Sequence, residues 1–286
     1  MKLLVVSGLS GSGKSIVLQV LEDRDYYCVD NLPVSLLPGF AGQMENLPNA
    51  QGDALVAVGI DARNLVHDLE NFSAALDKVR QHGIACEIIF LWADDKILLQ
   101  RFSETRRRHP LSNRGLPLLE AIIQERRLLA PISQQADLRI DTSRTNVHQL
   151  RDLITQRIVD RGDSRLSIQI VSFGYKNGVP ADADFVFDAR CLPNPYWDPR
   201  LRMSTGKDQD VIDFLGQNSD VQAMLDDIWR FLHAWLPRFL RENRSYMTIA
   251  IGCTGGQHRS VYLTETLAEK FRQEETHVVL RHRELP

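Results

Sequence analysis

Long apolar runs are missing from these 286 residues, and so is any excess of positive charge. No apolar stretch approaches the roughly 20 residues that cross a bilayer. The opening MKLLVVSG meets Gly and Ser after a very short apolar run, so neither a membrane span nor a secretory leader is expected. The formal charge of -3 provides no global field for a polyanion, so nucleic acid would have to be met by a local basic patch. Cysteines number four, at 28, 86, 191 and 253, with no Cys-x-x-Cys pair. That spacing excludes a zinc ribbon or a disulfide framework and leaves reduced thiols in the cytoplasm as the simplest reading.

What is present is the composition of a folded protein, with 43% hydrophobic and 25% charged residues. The length exceeds one ordinary compact core and predicts two domains. Short apolar runs at 3–6, 26–29, 54–60, 87–92 and 138–140 read as strands. Between them lie segments with three-to-four-residue apolar spacing, such as Ile16, Val17, Val20 and Leu21, then Phe72, Leu76 and Val79, then Leu98, Leu99 and Phe102. This alternation predicts an α/β fold, a parallel sheet with helices on both faces. A helix over 147–158 closes a first domain of residues 1–158, and the charged VDRGDSR at 159–165 reads as a linker. Strands at 166–171, 185–187 and 247–251, and a helix over 260–271, make residues 166–286 a second α/β domain.

The first domain carries GLSGSGKS, which fills the Walker A pattern G-x-x-x-x-G-K-[ST]. Gly8, Leu9, Ser10, Gly11, Ser12 and Gly13 supply a loop whose backbone N–H groups curl around phosphate, Lys14 reaches the β and γ oxygens, and Ser15 ligates magnesium. The motif lies between the strand KLLVVS and the helical SIVLQVLED, as a P-loop requires. The second magnesium ligand should close a neighbouring strand, and Asp30 and Asp61 both qualify, with a turn or cap as the plain alternative for each. Asp61, Ala62, Arg63 and Asn64 form a cluster whose Asp and Asn side chains match the donor and acceptor edge of guanine. Downstream, Arg101, Arg106, Arg107, Arg108 and His109 are candidates to clamp phosphate or meet RNA, against the common alternative of a solvated face.

In the second domain TIAIGCTGGQHRSVYL again runs from a strand through glycines into a helix, which is a cradle for an anion. Thr254, Gly255, Gly256, Gln257, His258, Arg259 and Ser260 make up the loop, with Cys253 before it. Cys253 and Arg259 also satisfy C-x5-R, the pattern by which cysteine phosphatases activate a thiolate, and Asp198 in Trp-Asp-Pro is the one imaginable general acid.

Together with the P-loop, the segments YCVDNLP, SFGYKNG, DADFVFDARCLPNPYW and IGCTGGQHRSV make the chain resemble the RapZ family of bacterial nucleotide-binding RNase adapter proteins over nearly its whole length. The resemblance implies a P-loop kinase-like first domain that binds ATP at residues 8–15 and a guanine nucleotide at residues 61–64; the P-loop chemistry itself puts Mg2+ at Ser15 and Asp30. It implies a second domain that senses glucosamine-6-phosphate through Tyr196 and residues 253–260 and binds small regulatory RNA for ribonuclease E. Hydrolysis would be slow at most, and self-association is expected. Relatives end in a basic tail. Here Lys270, Arg272, Arg281 and Arg283 are cancelled by four glutamates within 269–286, which leaves Arg281, His282 and Arg283, beside Lys270 and Arg272, as the RNA candidates. A metabolite or nucleoside kinase and a Cys253-dependent phosphatase are the competing readings.

Overall fold

The computed structural model describes residues 2–45, 54–105, 107–112, 116–161, 166–242, 244–274 and 276–285. Arg106 and most of the expected linker, residues 162–165, lie outside them. The chain divides into two compact units, Met1–Thr155 and Gln156–Pro286.

The first unit follows the predicted alternation: β1 (Lys2–Gly8), α1 (Lys14–Glu22), β2 (Tyr27–Val29), α2 (Leu37–Glu45), β3 (Leu55–Ile60), α3 (Val66–Glu70), α4 (Phe72–Gln81), β4 (Ala85–Trp92), α5 (Asp95–Thr105), α6 (Leu118–Leu128), α7 (Ala130–Gln134), β5 (Leu138–Asp141) and α8 (Val147–Ile154). The strands form one parallel sheet in the order β2-β3-β1-β4-β5. β1 lies between β3 and β4, and its unbroken apolar run is what a strand covered on both faces needs. α4 shows the matching helical logic. Phe72, Ala75, Leu76 and Val79 fall on one stripe and are all buried, facing Ile88 and Val58 in the same core. Asn146 and Gln149 close a reciprocal capping box at the start of α8. The α-helix expected over 147–158 stops at Ile154 and widens into a π-helical turn, Thr155–Val159, where the two units meet in sequence.

The second unit contains β6 (Ser167–Gly174), β7 (Phe185–Asp188), α9 (Gln209–Gly216), α10 (Ser219–Arg241), β8 (Tyr246–Cys253), α11 (Arg259–Gln273) and β9 (His277–His282). Its sheet is also wholly parallel, in the order β7-β8-β6-β9. Three elements go beyond the sequence expectation: α9, α10 and β9. α10 spans 23 residues, is capped by Asn218, and buries Val221, Leu225, Ile228, Leu232 and Leu236. β9 pairs with β6 and places Arg281 and His282 in a sheet instead of a free tail.

The nine strands of the described residues run parallel within their own sheets, so the loops after their carboxyl ends gather on one edge of each sheet. Ligands bind at that edge in open α/β sheets. Gly8 and Ile60 end β1 and β3 there in the first unit, and Gly174 and Cys253 end β6 and β8 in the second.

Candidate functional site

The first cradle begins where β1 runs out. A Cβ on Gly8 would lie 2.3 Å from the Leu91 carbonyl oxygen, so only glycine lets the loop press against β4. The Leu9 N–H then donates to that same oxygen at 3.1 Å. Gly13 precedes α1, and the N–H groups of Lys14 and Ser15 stand in its first turn, beyond the reach of any helical acceptor. The loop is braced from several elements. Arg101 on α5 donates to the Gly11 carbonyl at 3.0 Å, and Thr142 after β5 donates its hydroxyl to the Ser12 carbonyl at 2.9 Å. Arg101 also donates to the Thr142 carbonyl at 2.6 Å. Of the arginine run, then, Arg101 builds the loop, while Arg107 and Arg108 are exposed and His109 is buried.

Lys14 reaches Asp61 at 3.1 Å, and Arg63 grips the same carboxylate at 2.7 Å while touching Asp30 at 3.3 Å. Burial pushes the Asp61 carboxyl upward, but the hydrogen bonds from Arg63 and the charge and contact of Lys14 outweigh it and hold the pKa at about 2. Ala62 is buried against Leu111 and Ala121. Asn64 uses both ends of its amide on backbone, accepting from Val34 N–H at 2.8 Å and donating to the Leu32 carbonyl at 3.3 Å. Residues 61–64 thus bind the chain itself and secure Lys14. Ser15 and Asp30 are both exposed beside this cluster. Their hydroxyl and carboxylate oxygens suit Mg2+, which binds through one or two protein oxygens and completes its shell with water and phosphate.

Sequence reasoning missed Thr142 and one further member of this site. Glu125 on α6, 115 residues from Ser10, accepts the Ser10 N–H at 2.9 Å and the Ser10 hydroxyl at 2.6 Å, and His109 lies 3.1 Å from the same carboxylate. Nothing local in the sequence signals such a contact.

The second cradle is a nest of close backbone approaches. Gly256 has φ +75, and a Cβ there would lie 2.5 Å from the Gly174 N and 2.4 Å from the Glu284 Cγ. Arg259, buried at the start of α11, donates from one guanidinium nitrogen to the carbonyls of Arg190 and Leu192 at 2.9 and 3.0 Å and from the other to the Thr254 hydroxyl at 3.3 Å. His258 is buried with its Nε2 3.1 Å from the Leu201 carbonyl, and desolvation lowers its pKa. Thr254 and Gln257 remain exposed on the loop. Beside them Arg190 binds Asp188 at 2.7 Å and lies 3.9 Å above the Tyr175 ring.

Cys253 accepts from the Gly256 N–H at 3.2 Å and sits 3.2 Å from the Ser260 hydroxyl. Burial pushes the thiol upward, but the Ser260 and Gly256 hydrogen bonds and the Arg259 charge prevail and bring it below the ordinary value. Burial instead raises Cys28 to about 11 and Cys86 to about 12. Asp198, the imagined general acid, is held at about 2 by hydrogen bonds from Arg200, which leaves it without a proton to give at neutral pH.

Tyr196 lies on a short 3-10 turn, Pro195–Trp197, half exposed beneath the Arg202 guanidinium at 5.0 Å. The RNA candidates are occupied by their own chain. Lys270 pairs with Asp226 at 3.0 Å and Arg272 with Glu269 at 3.8 Å, His282 bridges Ser172 at 2.8 Å and Glu265 at 3.1 Å, and Arg283 donates to the Gly178 carbonyl at 3.2 Å. Arg281 lies half-buried in β9. No helix among the described residues is long and apolar enough to cross a membrane.

Comparison with known proteins covers the whole chain. A family model described as RapZ-like N-terminal domain matches residues 1–162, and one described as RapZ C-terminal domain matches residues 166–286. A curated protein of Nitrosococcus oceani called nucleotide-binding protein is 56% identical over 288 residues, covering 100% of each chain. One of Thioalkalivibrio sulfidiphilus, also called nucleotide-binding protein, is 54% identical over 286 residues with the same coverage. Among solved structures, shikimate kinase from Bacteroides thetaiotaomicron aligns with 56% of this chain and 98% of its own at 15% identity and a TM-score of 0.35.

Proposed function

The chain belongs to the RapZ family, and from that premise we propose that it is a cytoplasmic regulatory adapter that binds a nucleoside triphosphate in its first unit and a phosphorylated amino sugar in its second. One observation carries the reading. Each unit closes a strand with a glycine loop that opens at the first turn of a helix, with Lys14 at one loop and Arg259 at the other. The backbone N–H groups and the positive helix end favour an anion at both places.

In the first unit residues 8–15 would hold the phosphates of ATP or GTP, and Ser15 and Asp30 would hold Mg2+, which supplies charge neutralisation of the phosphates when bound. Because Asn64 is spent on residues 32 and 34 and Asp61 on Lys14, residues 61–64 act in this reading by positioning Lys14, and either base is accepted. Any hydrolysis is slow. In the second unit residues 253–260 would grip the phosphate of glucosamine-6-phosphate, with Tyr196 lining the sugar side. Presentation of small regulatory RNA to ribonuclease E, by a self-associated form of the protein, completes the proposal and draws its support from family membership.

Calorimetry of the full chain with ATP, GTP and glucosamine-6-phosphate tests this reading. Lys14→Ala should lose the nucleotide heat and keep the sugar heat, and Arg259→Ala should do the reverse. Heat from neither class of ligand in the unaltered protein would reject the proposal, and rapid phosphoryl transfer to a sugar or nucleoside would replace it with a kinase.

A further inference from the structure

Lys14 is the cation expected to meet phosphate, yet its ammonium lies 3.1 Å from the carboxylate of Asp61. Asp61 follows β3 and is only 2% exposed, so water screens its charge poorly. A lysine and a buried carboxylate by themselves make a neutral pair, and a neutral pair attracts an incoming anion weakly. Drawing the lysine away would leave the carboxylate buried without a counter-charge, which is a costly state. The chain places a second cation at this point. Arg63 grips the same carboxylate, with Nε 3.0 Å from both oxygens and Nη2 2.7 Å from Oδ2, and its backbone N–H donates to Oδ1 at 2.9 Å.

This grip forms without any lysine. Asp188, Ala189 and Arg190, at the end of β7, repeat it with the same four distances: 2.9 Å from the backbone N–H, 3.0 Å from Nε to each oxygen and 2.7 Å from Nη2. The cation of that cradle, Arg259, donates to the carbonyls of Arg190 and Leu192 and to the Thr254 hydroxyl. An aspartate and the arginine two residues on therefore close the clamp locally, through an Asx turn and a guanidinium fork. At Asp61 the clamp and Lys14 together sum to one positive charge, where Asp61 and Lys14 alone sum to zero. Asp30 also reaches Arg63, at 3.3 Å, but these side chains are 51% and 45% exposed, and water weakens that contact.

We infer that Arg63 is the counter-ion that frees the charge of Lys14, a positioning residue that keeps Asp61 neutralised while Lys14 turns to phosphate. The inference rests on the nucleotide reading proposed above and deepens it. Asp61 aims the lysine, and Arg63 limits how tightly Asp61 holds it. Arg63 acts through the carboxylate and needs no contact of its own with the nucleotide.

A double-mutant cycle on the full chain tests this. In calorimetry with ATP and with GTP, Arg63→Gln should weaken binding about tenfold, the size expected for one nearby charge. In an Asp61→Asn background the same exchange should cost less than about twofold, because no carboxylate is left to neutralise. An equal loss in both backgrounds would overturn the proposal and make Arg63 a direct phosphate contact. Labelling of Lys14 reads the same device without nucleotide. Acylation followed by peptide mass spectrometry should find Lys14 labelled several-fold more slowly in Arg63→Gln, because Asp61 then holds the ammonium unshared. An arginine that only braces the loop would loosen Lys14 when removed and speed its labelling, so faster or unchanged labelling also overturns the proposal. Arg63→Lys keeps the charge, loses the fork and should fall between the two proteins in both readouts; a variant no better than Arg63→Gln counts against the counter-ion role. If the unaltered protein binds no nucleotide, the nucleotide reading itself fails, and the labelling still decides the role of Arg63.

Discussion

Asp61 shows how a single side chain ties stability to the site. Its carboxyl titrates at about 2 in the folded chain because Arg63 and Lys14 hold the charged form. The ordinary value is near 3.9. A lowered folded pKa means that the unfolded chain binds the proton more readily, so the stabilisation is complete above about pH 4 and disappears as the pH falls to about 2. Asp61→Asn should cost on the order of 1–2 kcal/mol at neutral pH, after allowing for the half-exposed Arg63, and should flatten the pH dependence of urea unfolding between about 4 and 2. Cys253 gives the complementary case. Alkylation followed by mass spectrometry should show it ionising below Cys28 and Cys86, and Arg259→Gln should move its apparent pKa upward, because the Arg259 charge is one of the forces that lower it. An unmoved pKa in that variant would assign the lowering to the Ser260 and Gly256 contacts alone.

At the scale of elements, the second cradle depends on backbone contact between the β6 end, the loop after β8 and the residues after β9. Gly256→Ala forces a positive φ on a residue with a Cβ and drives that Cβ toward the Gly174 N and the Glu284 side chain. The expected loss is about 2–3 kcal/mol, read from chemical denaturation, with sugar-phosphate binding weakened in the same variant. The elements of the two units were unevenly legible in the sequence. β1 and β8 are continuous apolar runs ending in glycine motifs, and α4 repeats its apolar residues at helical spacing, so periodicity alone finds them. β9 escaped because only Val279 of its six residues is buried, and its Arg281 and His282 read as RNA candidates in a tail. The contacts that complete the sites were illegible for another reason. Glu125 meets Ser10 across 115 residues, and Arg259 is held by carbonyls of Arg190 and Leu192, groups every residue possesses. Local pattern reports which faces are buried, and it is silent on which distant polar groups the fold brings together.

Over the whole molecule, the two units each carry a complete cradle built from their own residues. Hydrogen exchange should therefore resolve two separate responses. ATP should slow exchange around residues 8–15, glucosamine-6-phosphate around residues 253–260, and Lys14→Ala should abolish the first response with the second intact. A ligand present at about 100 times its Kd should stabilise its own unit by about 2.7 kcal/mol. Loss of both responses in the one variant would show that the cradles are not independent.

The position of β9 has a consequence for how the chain is made and how it can be shortened. Among the described residues neither sheet contains a hairpin, so every strand pairing there must wait for a crossover, and one margin of β6 stays bare until residues 277–282 have been synthesised. A bare margin of this kind invites adhesion between nascent chains. Clipping the last dozen residues to ask whether arginines there retain RNA would strip a strand from the sheet, and the resulting protein would answer a question about solubility. Charge reversal at Arg281 and Arg283 keeps the ladder and puts the question to the arginines themselves.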